Sequence, residues 1–293
     1  MGLNLFSTFW ADCRRRLPYR RYRELEDRPR RLAAQSLSLL TLLLGALYLA
    51  WLGRLMWRAP NDQSILFFAA ESLAYLMLVF LAWDLGTPRY HRPEGLELES
   101  RPPVDILVTF CGEPLEIINT TLRAVSRINY QPVQVYVLDD YGSAQVAATA
   151  QTLGFHYHSR VAAGSPRQDA KSGNLNFGLG LSQGELILVL DADQVPAPDI
   201  LTRLVGFFRL PGVAYVQSKQ SFHLPEGDPF FNRDEIFYEV VQPNNDQANA
   251  VISCGSGVVY RRAALAELGG LATWNILEDS TTSYELLSRA WKG

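Results

Sequence analysis

The chain has 293 residues, a net charge of −3 and 48% hydrophobic residues. That length accommodates one sizeable domain and a short extra module, and the near-neutral balance argues against a nucleic-acid partner. The three cysteines, Cys13, Cys111 and Cys254, are odd in number and widely spaced, which excludes a disulfide framework or a zinc pattern and suits a reducing compartment.

Residues 1–31 are Arg-rich, with Arg14, Arg15, Arg16, Arg20, Arg21, Arg23, Arg28, Arg30 and Arg31. From Leu32 to Gly53 the chain runs without a charge, and from Ser64 to Trp83 a second apolar run carries only Glu71. A helix of roughly twenty apolar residues crosses a hydrocarbon layer of about 30 Å. The short stretch between the runs predicts an antiparallel transmembrane hairpin over residues 32–86 rather than a buried helix pair. The first run starts too late for a signal peptide and lacks a small-residue cleavage pattern. Trp51, Trp57 and Trp83 fall near the run ends, where amphipathic rings favour the interface. Arginines crowd ahead of the first run, whereas only Arg54 and Arg58, opposed by Asp62, lie between the two. This asymmetry predicts a cytoplasmic N-terminus, and two crossings return the rest of the chain to the cytoplasm. A lipid bilayer, that of the inner (plasma) membrane, is therefore an expected partner of a multi-pass chain.

Residues 87–103, TPRYHRPEGLELESRPP, read as a polar, proline-rich linker. From residue 104 to 293 strand-like and helix-like segments alternate. Strands are predicted at Val104–Phe110, Val133–Leu138, Phe155–His158, Glu185–Leu190 and Val213–Gln217. Helices are predicted at Leu115–Arg127, Ala144–Leu153, Asn174–Leu181, Pro198–Arg209 and Ser280–Trp291. Apolar strands separated by helices imply an α/β domain with a mainly parallel sheet covered on both faces. Ligands of such sheets bind beyond the carboxyl ends of the strands, so the residues just after each strand are the informative ones.

After the first strand stand Thr109, Cys111, Gly112 and Glu113; after the second, Asp139, Asp140, Tyr141 and Gly142; after the fourth, Asp191-Ala192-Asp193. Two carboxylates one residue apart project to the same side of an extended chain. Hard oxygens of that kind suit Mg2+ or Mn2+ bridging phosphates, and a solvated turn is the competing reading. Asp139 offers an acceptor for a base or ribose, with Thr109 and Glu113 completing a pocket, or else belongs to a plain turn. In Asp169-Ala170-Lys171-Ser172-Gly173-Asn174, Lys171 brings a positive charge to a helix start. An ordinary capped helix looks the same, and the glycine spacing excludes a Walker loop. The small residues of Cys254-Gly255-Ser256-Gly257 permit a substrate to approach the backbone closely. Cys254 as a nucleophile lacks a histidine nearby in sequence, and His156, His158 and His223 read as structural. Glu278 and Asp279 precede the last predicted helix, either as a base for an acceptor hydroxyl or as a helix cap.

TFCGEP, DDYGS, DAKSGNLN, VLDADQVP, SCGSGVVYRR and ILEDSTTSYELLSRAWKG occur in this order. The set resembles the family-2, cellulose-synthase-like glycosyltransferases from Val104 to Gly293, and the likeness extends to the preceding hairpin. The resemblance implies a cytoplasmic GT-A (Rossmann-like) domain flanked by membrane helices, using a UDP-sugar donor and a divalent cation. It implies inverting transfer of a hexose, glucose by likeness to cellulose synthase, to a growing β-glycan acceptor. Thr109, Glu113 and Asp139 then correspond to nucleoside contacts, and Lys171 to a diphosphate or donor contact. Asp191 and Asp193 correspond to the metal and diphosphate motif, and Cys254, Gly255 and Ser256 to the part that meets the acceptor. Asp279 resembles the catalytic base, with Glu278 beside it. Gln217 and the segment from Phe237 to Pro243 also resemble the cellulose-synthase branch, without an assigned role. Tyr141 departs from a glycine common in the family, and Leu277 from its usual threonine. The chain also stops at Trp291-Lys292-Gly293, ahead of the family's Gln-x-x-Arg-Trp motif and channel helices, so the domain is expected to be incomplete at its C-terminus. Single addition to a lipid carrier and a catalytically incompetent membrane fragment are the rival readings.

Overall fold

In the computed structural model, which describes residues 19–86, 101–221 and 237–293, both apolar runs are helical. Residues 1–18 of the Arg-rich segment, most of the linker expected at 87–103, and His223 lie outside the described residues. Contacts divide the chain into two compact units, residues 1–90 and 91–293.

In the first unit, helix α1 (Tyr19–Arg58) precedes helix α2 (Asp62–Gly86). Their stretches Gln35–Arg58 and Asp62–Trp83 are long and apolar enough to cross a membrane. Asn61 starts α2 through a reciprocal cap. Its Oδ1 accepts the Ser64 N–H at 2.8 Å, and Ser64 Oγ accepts the Asn61 N–H at 3.0 Å. Gly45 and Gly53, roughly two turns apart, leave space for the rings of Tyr75 and Phe68. The Tyr75 hydroxyl donates to Leu42 O at 2.9 Å. Small residues of this kind let membrane helices pack closely. Away from this seam Leu39, Leu43 and Leu47 are exposed, a surface that water penalises and hydrocarbon does not.

The second unit holds a six-stranded sheet of order β3-β2-β1-β4-β6-β5. Its strands are β1 (Val104–Phe110), β2 (Val133–Asp139), β3 (His156–His158), β4 (Leu186–Asp191), β5 (Tyr215–Gln217) and β6 (Val258–Arg261). The helices are α3 (Leu115–Val125), α4 (Ala144–Thr152), α5 (Ala170–Leu181), α6 (Ile200–Leu204), α7 (Gln242–Gln247), α8 (Arg262–Leu268) and α9 (Glu278–Ser288). Strands β1 to β4 run parallel, while β6 is antiparallel to both β4 and β5. Side chains alternate along β1. Ile106, Val108 and Phe110 join Ile118, Leu122 and Val146 on one face, and Leu107 joins Leu175 and Leu265 on the other. This double burial is why β1 and β4 read as largely apolar runs without a strict alternation.

Several elements differ from the sequence expectation. The strand expected from Val213 starts at Tyr215, because Val213 bridges to Lys292 and the Ala214 N–H donates to Lys292 O. The helix expected over Pro198–Arg209 tightens after Leu204 into a 3-10 turn, Val205–Arg209. Helix α5 begins at Ala170, four residues ahead of the expected Asn174. Strand β6 and helices α7 and α8 were not expected at all; four to seven residues carry too little periodicity to declare an element.

Helix α5 lies so close to β2 that a Cβ at Gly178 would sit 2.5 Å from Leu138 Cδ1. Overpacking of this kind costs about 1–3 kcal/mol, against a helix-propensity gain of about 1 kcal/mol. Gly178→Ala is expected to lower the thermal midpoint of the purified chain. An unchanged midpoint would mean the helix–strand contact yields freely.

The parallel order places the carboxyl ends of β1, β2 and β4 on one edge, with Phe110 level with Asp139 and Thr109 level with Asp191. At the amino end of the sheet Asp105, also buried, accepts bonds from the Gln183 and Gly184 N–H groups and from Arg262. That carboxylate anchors β1 to the entry of β4 and has no share in the site.

Candidate active site

Two adjacent aspartates end β2, and the fold gives them different work. Asp139 is fully buried, and its Oδ1 accepts the N–H groups of Tyr141 at 2.6 Å and Gly142 at 2.7 Å. Its Oδ2 accepts the Ser143 N–H and the Tyr157 hydroxyl, both at 2.7 Å. In this structure both oxygens of Asp139, the expected nucleoside contact, bond to its own loop and to Tyr157. Asp140 faces Arg160 in a buried bidentate pair, Nε–Oδ1 2.8 Å and Nη2–Oδ2 2.5 Å, with both side chains 5% exposed. Next to this loop, Tyr141 is exposed and its ring lies against Gly112 (φ 104°). Glu113 Oε2 accepts the Cys111 N–H at 2.7 Å, which closes the turn after β1.

Arg160 also donates to Gln168 O at 2.9 Å and Ala170 O at 3.0 Å. Between those carbonyls Asp169 (φ 59°) and Ala170 (φ 42°) adopt left-handed backbone conformations. For non-glycine residues this strain costs on the order of 1–3 kcal/mol each and persists only when surrounding contacts hold it. A Cβ at Gly173 would lie 2.1 Å from Gln168 O, so the folded-back turn requires glycine there.

The next residue, Lys171, carries the result of that geometry into the site. Its Nζ lies 2.5 Å from Asp191 Oδ1, donates to Gly255 O at 2.8 Å, and stands 3.9 Å from Glu278 Oε1. Thr109 Oγ1 donates to the same Asp191 oxygen at 3.3 Å, and the Asp191 N–H donates to Ser256 Oγ at 2.9 Å. Asp193 is exposed in the turn that follows β4.

Two more segments complete the cluster. Gln217, at the end of β5, accepts the Cys254 N–H at 2.7 Å and donates to Ser256 O at 2.9 Å. The Ser253 hydroxyl accepts from Tyr260 at 2.6 Å and donates to Asp279 O at 3.0 Å, fastening this loop to the start of α9. A Cβ at Gly255 would meet Asp279 Oδ2 and Lys171 Nζ at 3.1 Å each, so Gly255 keeps the two charges close without a side chain between them. Glu278 and Asp279 form the first turn of α9, where the helix dipole favours negative charge. Burial pushes the Glu278 carboxyl above its ordinary value, and Lys171 opposes that rise. A cavity of about 410 Å3 opens beside Asp279, lined also by Phe237, Tyr238, Ile252, Ser253 and Cys254. Burial raises the Cys254 thiol, which disfavours the thiolate a nucleophile requires. Cys254 is a wall of the cavity.

Folding thus brings Lys171, Asp191, Gly255, Glu278 and Asp279 into one cluster, with Thr109 and Ser256 supporting Asp191. Glu113 stays in the turn after β1, and Asp139 is turned into its own loop. Sequence reasoning overlooked Arg160 and left Gln217 without a role. Arg160 and Gln217 follow short strands, the same signal that singled out Asp139 and Asp191, but on weaker elements. Among the described residues no three His, Cys, Asp or Glu side chains converge as a closed metal site. Asp191 and Asp193 nevertheless offer hard oxygens at an open strand end. Mg2+ and Mn2+ accept such sets, because Mg2+ in particular keeps waters and substrate phosphates as its remaining ligands.

A family described as "Glycosyltransferase like family 2" matches residues 102–293. The chain is 31% identical to the UDP-forming cellulose synthase catalytic subunit of Xanthomonas axonopodis pv. citri, over 76% of its own length and 32% of that protein. It is 32% identical to the corresponding Pseudomonas fluorescens protein, over 88% of its length and 37% of the relative. The chain spans about a third of the length of these curated relatives. Among solved structures, the mannosyltransferase PcManGT of Pyrobaculum calidifontis, in complex with GDP-Man and Mn2+, aligns with a TM-score of 0.60. That alignment covers 78% of this chain and 64% of the other at 21% identity, a likeness of fold.

Proposed function

Because the chain belongs to glycosyltransferase family 2 and its sheet has the mixed α/β, GT-A-like arrangement, we propose that it is an inverting hexosyltransferase using a UDP-sugar. The acceptor is a growing β-glycan, and the likeness to UDP-forming cellulose synthases favours glucose as the sugar. The observation that carries this reading is the gathering of Lys171, Asp191, Glu278 and Asp279 around Gly255 at the carboxyl edge of the sheet.

In this proposal the uridine occupies the loops after β1 and β2, against Thr109, Glu113 and the loop that Asp139 orders. Lys171 meets the diphosphate. Asp191 and Asp193 hold Mg2+ or Mn2+, which when bound neutralises charge on the departing diphosphate. The end of the acceptor lies in the cavity against Cys254, Gly255 and Ser256. Asp279 takes the proton of the acceptor hydroxyl, whose oxygen bonds to the anomeric carbon from the face opposite the leaving UDP. The bond from that carbon to the diphosphate breaks, and the configuration inverts. The arginines ahead of the first apolar run favour a cytoplasmic N-terminus at an inner membrane, with the catalytic unit on the same side.

Calorimetric titration of UDP with and without Mg2+ tests the donor site. Asp191→Asn and Asp193→Asn are each expected to weaken Mg2+-dependent UDP binding by roughly tenfold or more, the loss usual for damaged metal sites. Titrations indistinguishable from the parent chain would refute the cation role.

A further inference from the structure

We infer that Lys171 bars free divalent cation from Asp191, so that cation entry depends on an arriving nucleoside diphosphate. The inference rests on the donor-site reading above and adds an order of events to it.

A lysine ammonium has three donors and no acceptor. At Lys171 one lies against Asp191 Oδ1 at 2.5 Å and another against Gly255 O at 2.8 Å. Thr109 Oγ1 donates to the same carboxylate oxygen at 3.3 Å. Asp191 Oδ1 therefore already holds a full positive charge and a hydroxyl proton, and a cation reaching this carboxylate meets the ammonium beside it. A divalent ion and an ammonium on one oxygen repel strongly, and the repulsion is poorly screened because both side chains are only about a third exposed or less, 28% and 33%. Lys171 must swing away before the cation settles.

Within reach, the competing anions are Glu278 at 3.9 Å, whose side chain is largely buried, and Asp279, whose Oδ2 lies on the other side of Gly255. A diphosphate supplies a stronger destination. The four-carbon stem lets Nζ move while its backbone stays fixed. That backbone is held by Arg160 and by the strained Asp169–Ala170 turn. Gly255 supplies no side chain to obstruct the ammonium, since a Cβ there would come within 3.1 Å of Nζ. Cation and nucleotide are thereby coupled, and each raises the affinity of the other by the same factor.

The test is titration of the purified chain with Mn2+, followed by calorimetry or by the spin-resonance signal of free Mn2+, first without nucleotide and then with saturating UDP. The parent chain is expected to bind free Mn2+ weakly and to bind it tightly once UDP is present. Lys171→Met and Lys171→Gln should bind free Mn2+ about tenfold more tightly or better, as removal of an adjacent positive charge requires. The same variants should show a smaller enhancement by UDP. Lys171→Arg, which keeps the charge, should retain the exclusion, and adding Asp191→Asn to Lys171→Met should abolish the gain. If the parent, Met and Gln chains bind free Mn2+ equally while UDP still enhances the parent, the inference is overturned and the donor site stands. If UDP brings no Mn2+ to the parent chain, the donor site itself is refuted and the inference with it.

Discussion

Asp279→Asn is expected to reduce sugar transfer by about 10²–10⁴-fold, the usual contribution of a positioned general base, while UDP binding persists. The substitution keeps the shape of the side chain and removes its ability to take a proton. Asp279 lines the cavity, and its Oδ1 accepts the Ser280 N–H at 2.6 Å, which leaves Oδ2 on the side facing Gly255. Its main-chain oxygen accepts the hydroxyls of Ser253 and Ser283 at 3.0 and 2.9 Å, so the start of α9 is held independently of the carboxylate. Release of UDP from UDP-glucose in the presence of a glucan acceptor measures the loss, and calorimetry measures retained UDP affinity. A variant that transfers at the parental rate would remove Asp279 from the mechanism.

Arg160→Met should destabilise the catalytic unit by about 3–5 kcal/mol, because it strands the buried charge of Asp140 without a partner. Both side chains of this pair are 5% exposed, so water does little to compensate. The same change frees Gln168 O and Ala170 O, the two carbonyls that hold the strained turn in front of Lys171. A weaker UDP affinity is expected alongside the lower stability, from a residue that contacts Asp140 and two carbonyls of that turn. Denaturant unfolding of the single variant and of Arg160→Met with Asp140→Asn separates the two effects. The double variant should regain part of the stability, since no lone charge stays buried, and still bind UDP poorly. A single variant with the parental midpoint would show that the pair is not what holds the turn.

Local pattern alone made much of this protein legible. The long apolar runs announced α1 and α2, and the largely apolar stretches VDILVTF and LILVL announced β1 and β4, strands covered on both faces. Their parallel order then placed Thr109 and Asp191 at one edge of the sheet. Side-chain partnership was a different matter. Asp139 and Asp140 are indistinguishable as letters, yet one closes its own loop and the other pairs with Arg160 twenty residues on. Lys171 reaches Gly255 across 84 positions, through a strained turn that no propensity favours. Periodicity reports which face of an element is buried, because that depends on neighbours along the chain. Which charges meet depends on how whole elements pack, and only the assembled sheet with α5 and α9 upon it decides that.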